Sequence, residues 1–183
     1  VGRITPWKGQ DIFLDAFASA FGNEEDSAIR AKVIGGALFG EEDYEQDLMK
    51  QADSLGIAHR VDFLGHVDDV IKHLANSQVM VHASVIPEPF GAVVIEGMNA
   101  GCAVIATKPG GPAEVIDDGI SGLLVPCGDS LALANALSRL NSDGDLRERL
   151  AIAGLARARE FDVRTLASQT EDWLQQFNRR RGN

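Results

Sequence analysis

Five short apolar segments, each followed by a helical pattern, constrain this chain most. They span residues 32–34, 61–64, 79–81, 103–106 and 123–125. Each is continuous in its hydrophobicity rather than alternating, as expected of strands buried on both faces. Helical patterns fill the intervals. Residues 11–21 set Ile12, Phe13, Ala16, Phe17, Ala20 and Phe21 on one face, and residues 43–55 bring Leu48, Ala52 and Leu55 together before Gly56 stops the helix. Short helices are expected at 69–75, 92–100 and 112–117. Asp129 or Ser130 caps a helix running to Leu140, and helices over 144–159 and 163–179 follow. Strands and helices alternating through short links define an α/β fold, a doubly wound parallel sheet forming a single domain.

The first residues complicate that sheet. Val1-Gly2-Arg3 reads like the last residue of a strand entering a glycine turn, with no initiator methionine. The expectation is a fragment whose first strand is truncated. That strand is central in the doubly wound order, so its loss leaves a gap or requires a substitute. An exposed gap could also invite self-association between chains.

Ligands of doubly wound sheets bind outside the C-terminal ends of the strands. Here those ends lead into turns at 3–9, 35–40, 65–67, 82–91 and 107–111, which are rich in glycine. The most informative is Pro87-Glu88-Pro89-Phe90-Gly91, with Glu96 eight positions after Glu88. A helix starting near Gly91 puts Glu88 in the loop before it and Glu96 about one and a half turns in. The free N–H groups of the first turn then lie between the two carboxylates. That suits a ligand with hydroxyls at both ends and a phosphate between them. Two exposed helix-end acids are the plainer alternative, but a carboxylate inside the apolar run 92–98 would be buried and need partners, which ribose hydroxyls would supply.

Arg3 and Lys8 share one turn with Gly2 and Gly9, and either hold a diphosphate or sit in a solvated loop. Gly35-Gly36 allows close approach of backbone to a ligand or simply a tight turn. It is not G-x-G-x-x-G, which weakens a dehydrogenase reading. Gly110-Gly111-Pro112-Ala113-Glu114 reads first as a strand-to-helix turn, and Gly119–Pro126 (residues 119–126) as a turn into a buried strand. His82, at the end of a strand, could face the cleft; His59, His66 and His73 form no metal-like grouping. Arg179-Arg180-Arg181 could touch an anionic membrane, or simply close a helix favourably for its dipole.

Composition narrows the partners. The 183 residues carry 17 basic and 27 acidic side chains, a net charge of −10, which argues against nucleic acid. Cys102 and Cys127 match no metal or redox spacing and read as small core residues in a reducing compartment. No apolar run approaches a membrane span.

Taken in order, V-G-R, K-G, E-P-F-G-x-x-x-x-E, G-G-P-A-E-V-I and G-x-x-G-L-L-V-P-x-G-D resemble the C-terminal, nucleotide-sugar-binding domain of the retaining family-4 glycosyltransferases, across nearly all of residues 1–178. Those enzymes pair two Rossmann-like domains across a cleft, the GT-B architecture. The resemblance implies that Arg3 and Lys8 hold the donor diphosphate and stabilise leaving-group charge. Glu88 corresponds to the first acid of the signature, near the donor sugar. Phe90, Gly91 and Ala92 correspond to the turn whose N–H groups meet sugar and phosphates, and Glu96 to the acid that accepts from the ribose. His66 and Val67 lie where the base pocket forms.

Further implications come with the family. Transfer is metal-independent and uses no cofactor beyond the nucleoside diphosphate sugar, which is the donor substrate. Catalysis is mainly positioning and electrostatic stabilisation. The enzyme is cytoplasmic, with peripheral membrane contact in its full form. The N-terminal acceptor domain is absent from this sequence, so weak donor binding and little transfer are expected. A nucleotide-sugar epimerase relative and a truncated, non-catalytic nucleotide-binding module are the rival readings.

Overall fold

The computed structural model of the chain describes residues 1–22, 28–38, 40–162, 165, 167, 170–175 and 177. The five expected strands form: β1 (Ala31–Val33), β2 (Val61–Phe63), β3 (Val79–His82), β4 (Ala103–Lys108) and β5 (Leu123–Pro126). All their pairings are parallel. The helices between them are α1 (Gln10–Phe21), α2 (Glu42–Ser54), α3 (Val70–Ala75), α4 (Ala92–Asn99), α5 (Pro112–Val115), α6 (Ser130–Ser142) and α7 (Gly144–Ala158). The helix expected over 163–179 lies largely outside the described residues, as do Arg179 to Arg181; residues 165, 167, 170–175 and 177 are helical.

Short polar residues start three of the helices. Asp69, Asp129 and Asp143 accept from the N–H groups of Lys72, Ala132 and Leu146 at 2.8–2.9 Å. Each such cap is worth about 1 kcal/mol. Gly56, at φ +70°, ends α2 as its position in the sequence suggests.

β4 shows how the layers are built. Ala103 and Ile105 belong to a core shared with α1, α6 and β1, while Val104 and Ala106 join a second core with α4 and α5. Successive residues of a strand face opposite sides. Both faces are therefore covered, which is why β4 reads as an unbroken apolar run. In α1 the buried stripe is Leu14, Ala16, Phe17 and Phe21; Ile12, Phe13 and Ala20 are only half-buried. Arg60 is buried against this helix, donating to the carbonyl of Phe21 at 3.0 Å with its guanidinium over the Phe17 ring. Cys102 is buried, with its thiol directed to the Leu74 carbonyl, but Cys127 is half-exposed, contrary to its reading as a core residue.

The sheet is not continuous. β1 pairs with β2, and β3–β4–β5 form a separate three-stranded sheet. Residues 2–4 run beside the end of β1, where Gly2 N–H donates to Ile34 and Ile4 N–H to Gly36 at 2.9 and 3.0 Å. They form an isolated parallel bridge between Ile4 and Ala37 rather than a strand. The facing edges of β1 and β3 enclose a cavity of about 530 Å³, floored by Phe13, Phe17, Leu137 and Leu140. The half-burial of Val79 and Val81 reflects this open edge.

Candidate functional site

Because every strand pairing is parallel, the C-terminal ends of each sheet open onto its loops along one edge. Two glycines fasten the Glu88 loop there. Gly110 has φ +133°, and a Cβ on it would fall 2.9 Å from the Glu88 carbonyl oxygen. Gly111 donates its N–H to that same oxygen at 2.7 Å. The glycine pair thus exists to let two loops touch. Gly91, at φ +74°, precedes α4, and its missing side chain leaves room for Pro112. The first N–H groups of α4 lack partners within the helix, as at any helix start.

The turn before α1 docks on the same loop. Gly9 has φ +66°, and a Cβ would lie 2.2 Å from the Ala83 carbonyl oxygen. This contact carries Lys8 to Glu88: Nζ lies 2.6 Å from Oε1. The same oxygen is met by the Ser84 hydroxyl and by His82 Nε2, the latter at 3.0 Å. His82 Nε2 makes no aligned hydrogen bond despite this approach. Burial alone would raise the Glu88 carboxyl; contacts from His82, Lys8 and Ser84 outweigh it and hold the group down to about 2. Glu88 is therefore an anion at neutral pH.

The other expected site residues fall on the first turn of the chain, the turns after β1 and β2, and the start of α4. Arg3 is half-buried, with its carbonyl accepting from Gln10 Nε2 at 2.9 Å. Gly35, at φ +123°, passes so close to Gly2 that a Cβ would strike its carbonyl oxygen at 2.1 Å. Gly35 N–H donates to Gly65 at 2.8 Å, which sets Gly36 beside His66. His66 is exposed and Val67 half-buried. Phe90 and Ala92 are both exposed.

Glu96 corrects one expectation. It is exposed, not buried within the apolar run, and needs no internal partner. Helical geometry explains this: Val94, Gly97 and Met98 face inward, while Ala92, Glu96 and Asn99 lie together on the outer face. Its charge still reaches the half-buried end of the chain, where burial and Lys8 lower the Val1 ammonium and Glu96 opposes them.

His82 reaches the cluster, as its place at the end of a strand allowed, and Ser84 joins it although no sequence motif pointed there. The signal was the end of β3, where a strand leaves the sheet at its ligand-facing edge. Thr107, at the matching end of β4, donates to the Ser84 carbonyl at 2.9 Å and lies 3.3 Å from His82 Nδ1. Among the described residues, no three His, Cys, Asp or Glu side chains are grouped to hold a metal, and no helix is long and apolar enough to cross a membrane.

The parallel α/β domain, with helices interleaved between its strands, has the Rossmann-like architecture of one half of a GT-B fold. The chain belongs to the family described as Glycosyl transferases group 1, whose profile matches residues 1–157. It is 37% identical over 166 residues to a phosphatidyl-myo-inositol mannosyltransferase of Mycobacterium leprae, spanning 90% of this chain and 42% of that relative. HepE from Anabaena, solved with UDP, superposes with a TM-score of 0.88 at 37% identity, over 96% of this chain and 47% of that one. The same protein is known with UDP-glucose. The C-terminal domain of a group 1 glycosyltransferase, LpcC of Francisella tularensis, superposes at 0.78 with 31% identity, over 87% of this chain and 82% of the other.

Proposed function

We propose that this chain is the donor-binding half of a retaining glycosyltransferase that takes a sugar from a nucleoside diphosphate sugar. The observation that carries the reading is the meeting of Lys8 and Glu88 at 2.6 Å, from turns eighty positions apart, on the strand edge where such folds bind ligands. Arg3 and Lys8 take the diphosphate, supplying the positive charge the departing phosphate needs without a metal. Glu88 faces the donor sugar, and the N–H groups at the start of α4 meet sugar and phosphate. Glu96 accepts from the ribose; an exposed carboxylate is free of the desolvation cost that would otherwise oppose this role. Gly35, Gly36, His66 and Val67 border the base.

Uridine is the first nucleoside to try, since the related HepE is known with UDP and UDP-glucose. The mannosyltransferase relative is named for a phosphatidyl-inositol acceptor, which favours a cytoplasmic enzyme in peripheral contact with a membrane. Calorimetric titration with UDP- and GDP-sugars tests the reading. Saturable binding of one nucleotide series, weakened by changes at Lys8 and Glu96, is expected. No binding at millimolar nucleotide sugar, or binding indifferent to both changes, would reject it.

A further inference from the structure

Lys8 has two claims on it. In the unliganded chain its ammonium is committed to Glu88 Oε1 at 2.6 Å; in the reading above it must serve a diphosphate. Moving it would strand a half-buried carboxylate, which is costly unless another cation remains. His82 is placed to be that cation. Its side chain is buried, only 3% exposed, with Nε2 3.0 Å from the same Glu88 oxygen.

The neighbours of the ring define its protons. Thr107 has a single hydroxyl proton, and its oxygen lies 2.9 Å from the Ser84 carbonyl, which can only accept. The Nδ1 of His82 lies farther off, at 3.3 Å from the Thr107 oxygen. With the Thr107 proton on the shorter contact, Nδ1 must carry its own hydrogen. Nε2 lies 3.0 Å from an ionised carboxylate oxygen without an aligned hydrogen bond, so what favours a second proton there is the nearby negative charge. Nδ1 therefore carries a hydrogen, and the neighbouring anion favours another on Nε2.

We propose that His82 is a positioning residue: as an imidazolium it is the resident counter-ion of Glu88, and it frees Lys8 to move onto the donor diphosphate. This rests on the site being a diphosphate site. Ser84 keeps its hydroxyl on Oε1 while Lys8 leaves, so the carboxylate retains one neutral and one charged partner. The charged groups that bear on His82 are Glu88 from the loop after β3 and Lys8 from the turn before α1. Beyond Lys8 stand the Val1 ammonium and Glu96. Thr107 and Ser84 contribute neutral hydroxyls.

The test is UDP affinity of the whole chain by calorimetry from pH 5.5 to 8.5, for the native chain, His82→Gln and Glu88→Gln. Native affinity should exceed that of His82→Gln by about tenfold at pH 6, with the gap narrowing as pH rises. The terminal phosphate of UDP titrates equally in all three proteins and cancels from the ratios. Glu88→Gln leaves Lys8 uncommitted, so it should bind UDP more tightly than His82→Gln at every pH in the range. Ring ¹⁵N shifts of unliganded native protein at pH 6 should mark His82 as doubly protonated, a readout needing no variant. A neutral His82 at pH 6 overturns the proposal, as does equal UDP affinity of native and His82→Gln across the range; in both cases nucleotide binding by the native chain leaves the donor-site reading intact. Absence of UDP, GDP and nucleotide-sugar binding to native protein overturns both.

Discussion

The N–H of Gly111 donates to the carbonyl of Glu88 at 2.7 Å, which makes the glycine turn after β4 and the loop after β3 one unit. Neither glycine of that turn tolerates a side chain. A Cβ at Gly111 would fall 2.5 Å from Phe90 Cα, and Gly110 sits at φ +133°. Gly110→Ala should cost roughly 1–3 kcal/mol, the range for a residue forced into sparsely populated backbone geometry. It should also displace Glu88 and weaken nucleotide-sugar binding. Urea midpoints with a binding titration check this; an unshifted midpoint would show that the two loops adjust independently.

Lys8→Ala and Arg3→Ala should each weaken nucleoside diphosphate binding by roughly 1.5–3 kcal/mol, the range for hydrogen bonds to charged groups. Calorimetry with UDP reads this directly. Undiminished affinity in both variants would remove the diphosphate from this turn.

Acid should act on the fold through Glu88. Its carboxyl titrates at about 2 in the folded chain, against 4.5 for an ordinary glutamate. A lowered folded value means stability that is fully present above pH 4.5 and lost as pH falls toward 2, on the order of 3 kcal/mol in total. Glu88→Gln should flatten the dependence of the urea midpoint on pH between 5 and 2. A variant retaining the native slope would place the acid sensitivity in other carboxylates.

Glu96→Gln should separate binding from folding. The side chain is exposed, so stability should change by less than about 0.5 kcal/mol. Nucleotide affinity should fall more than free-sugar affinity. The reverse order would exchange the assignments of Glu88 and Glu96.

Several of these features were legible in the residues alone. The run Ala103-Val104-Ile105-Ala106 announced a strand covered on both sides, and the structure pairs it on both edges. Asp69 and Asp129 marked helix starts because their carboxylates satisfy free N–H groups. The pairing of Lys8 with Glu88 was hidden: each stood out, but only the docking of Gly9 on Ala83 joins them. Glu96 was misplaced because an apolar run was read as uniformly buried. Counting the helical period from Gly91 turns it outward beside Ala92. His82 and Ser84 carry no motif, since their role depends on contacts that only the folded chain makes.

The break between β1 and β3 leaves the domain with two sheets packed on one shared core rather than one woven plate. Heat or denaturant should then loosen the fold along that seam before it frays at β4. Deuterium uptake would record the order, with the amides of β1 and β3 exchanging ahead of those in β4, which is flanked on both sides. The candidate site draws on both sheets, with Gly35 after one and Glu88 after the other, so a bound nucleotide should slow exchange along the seam.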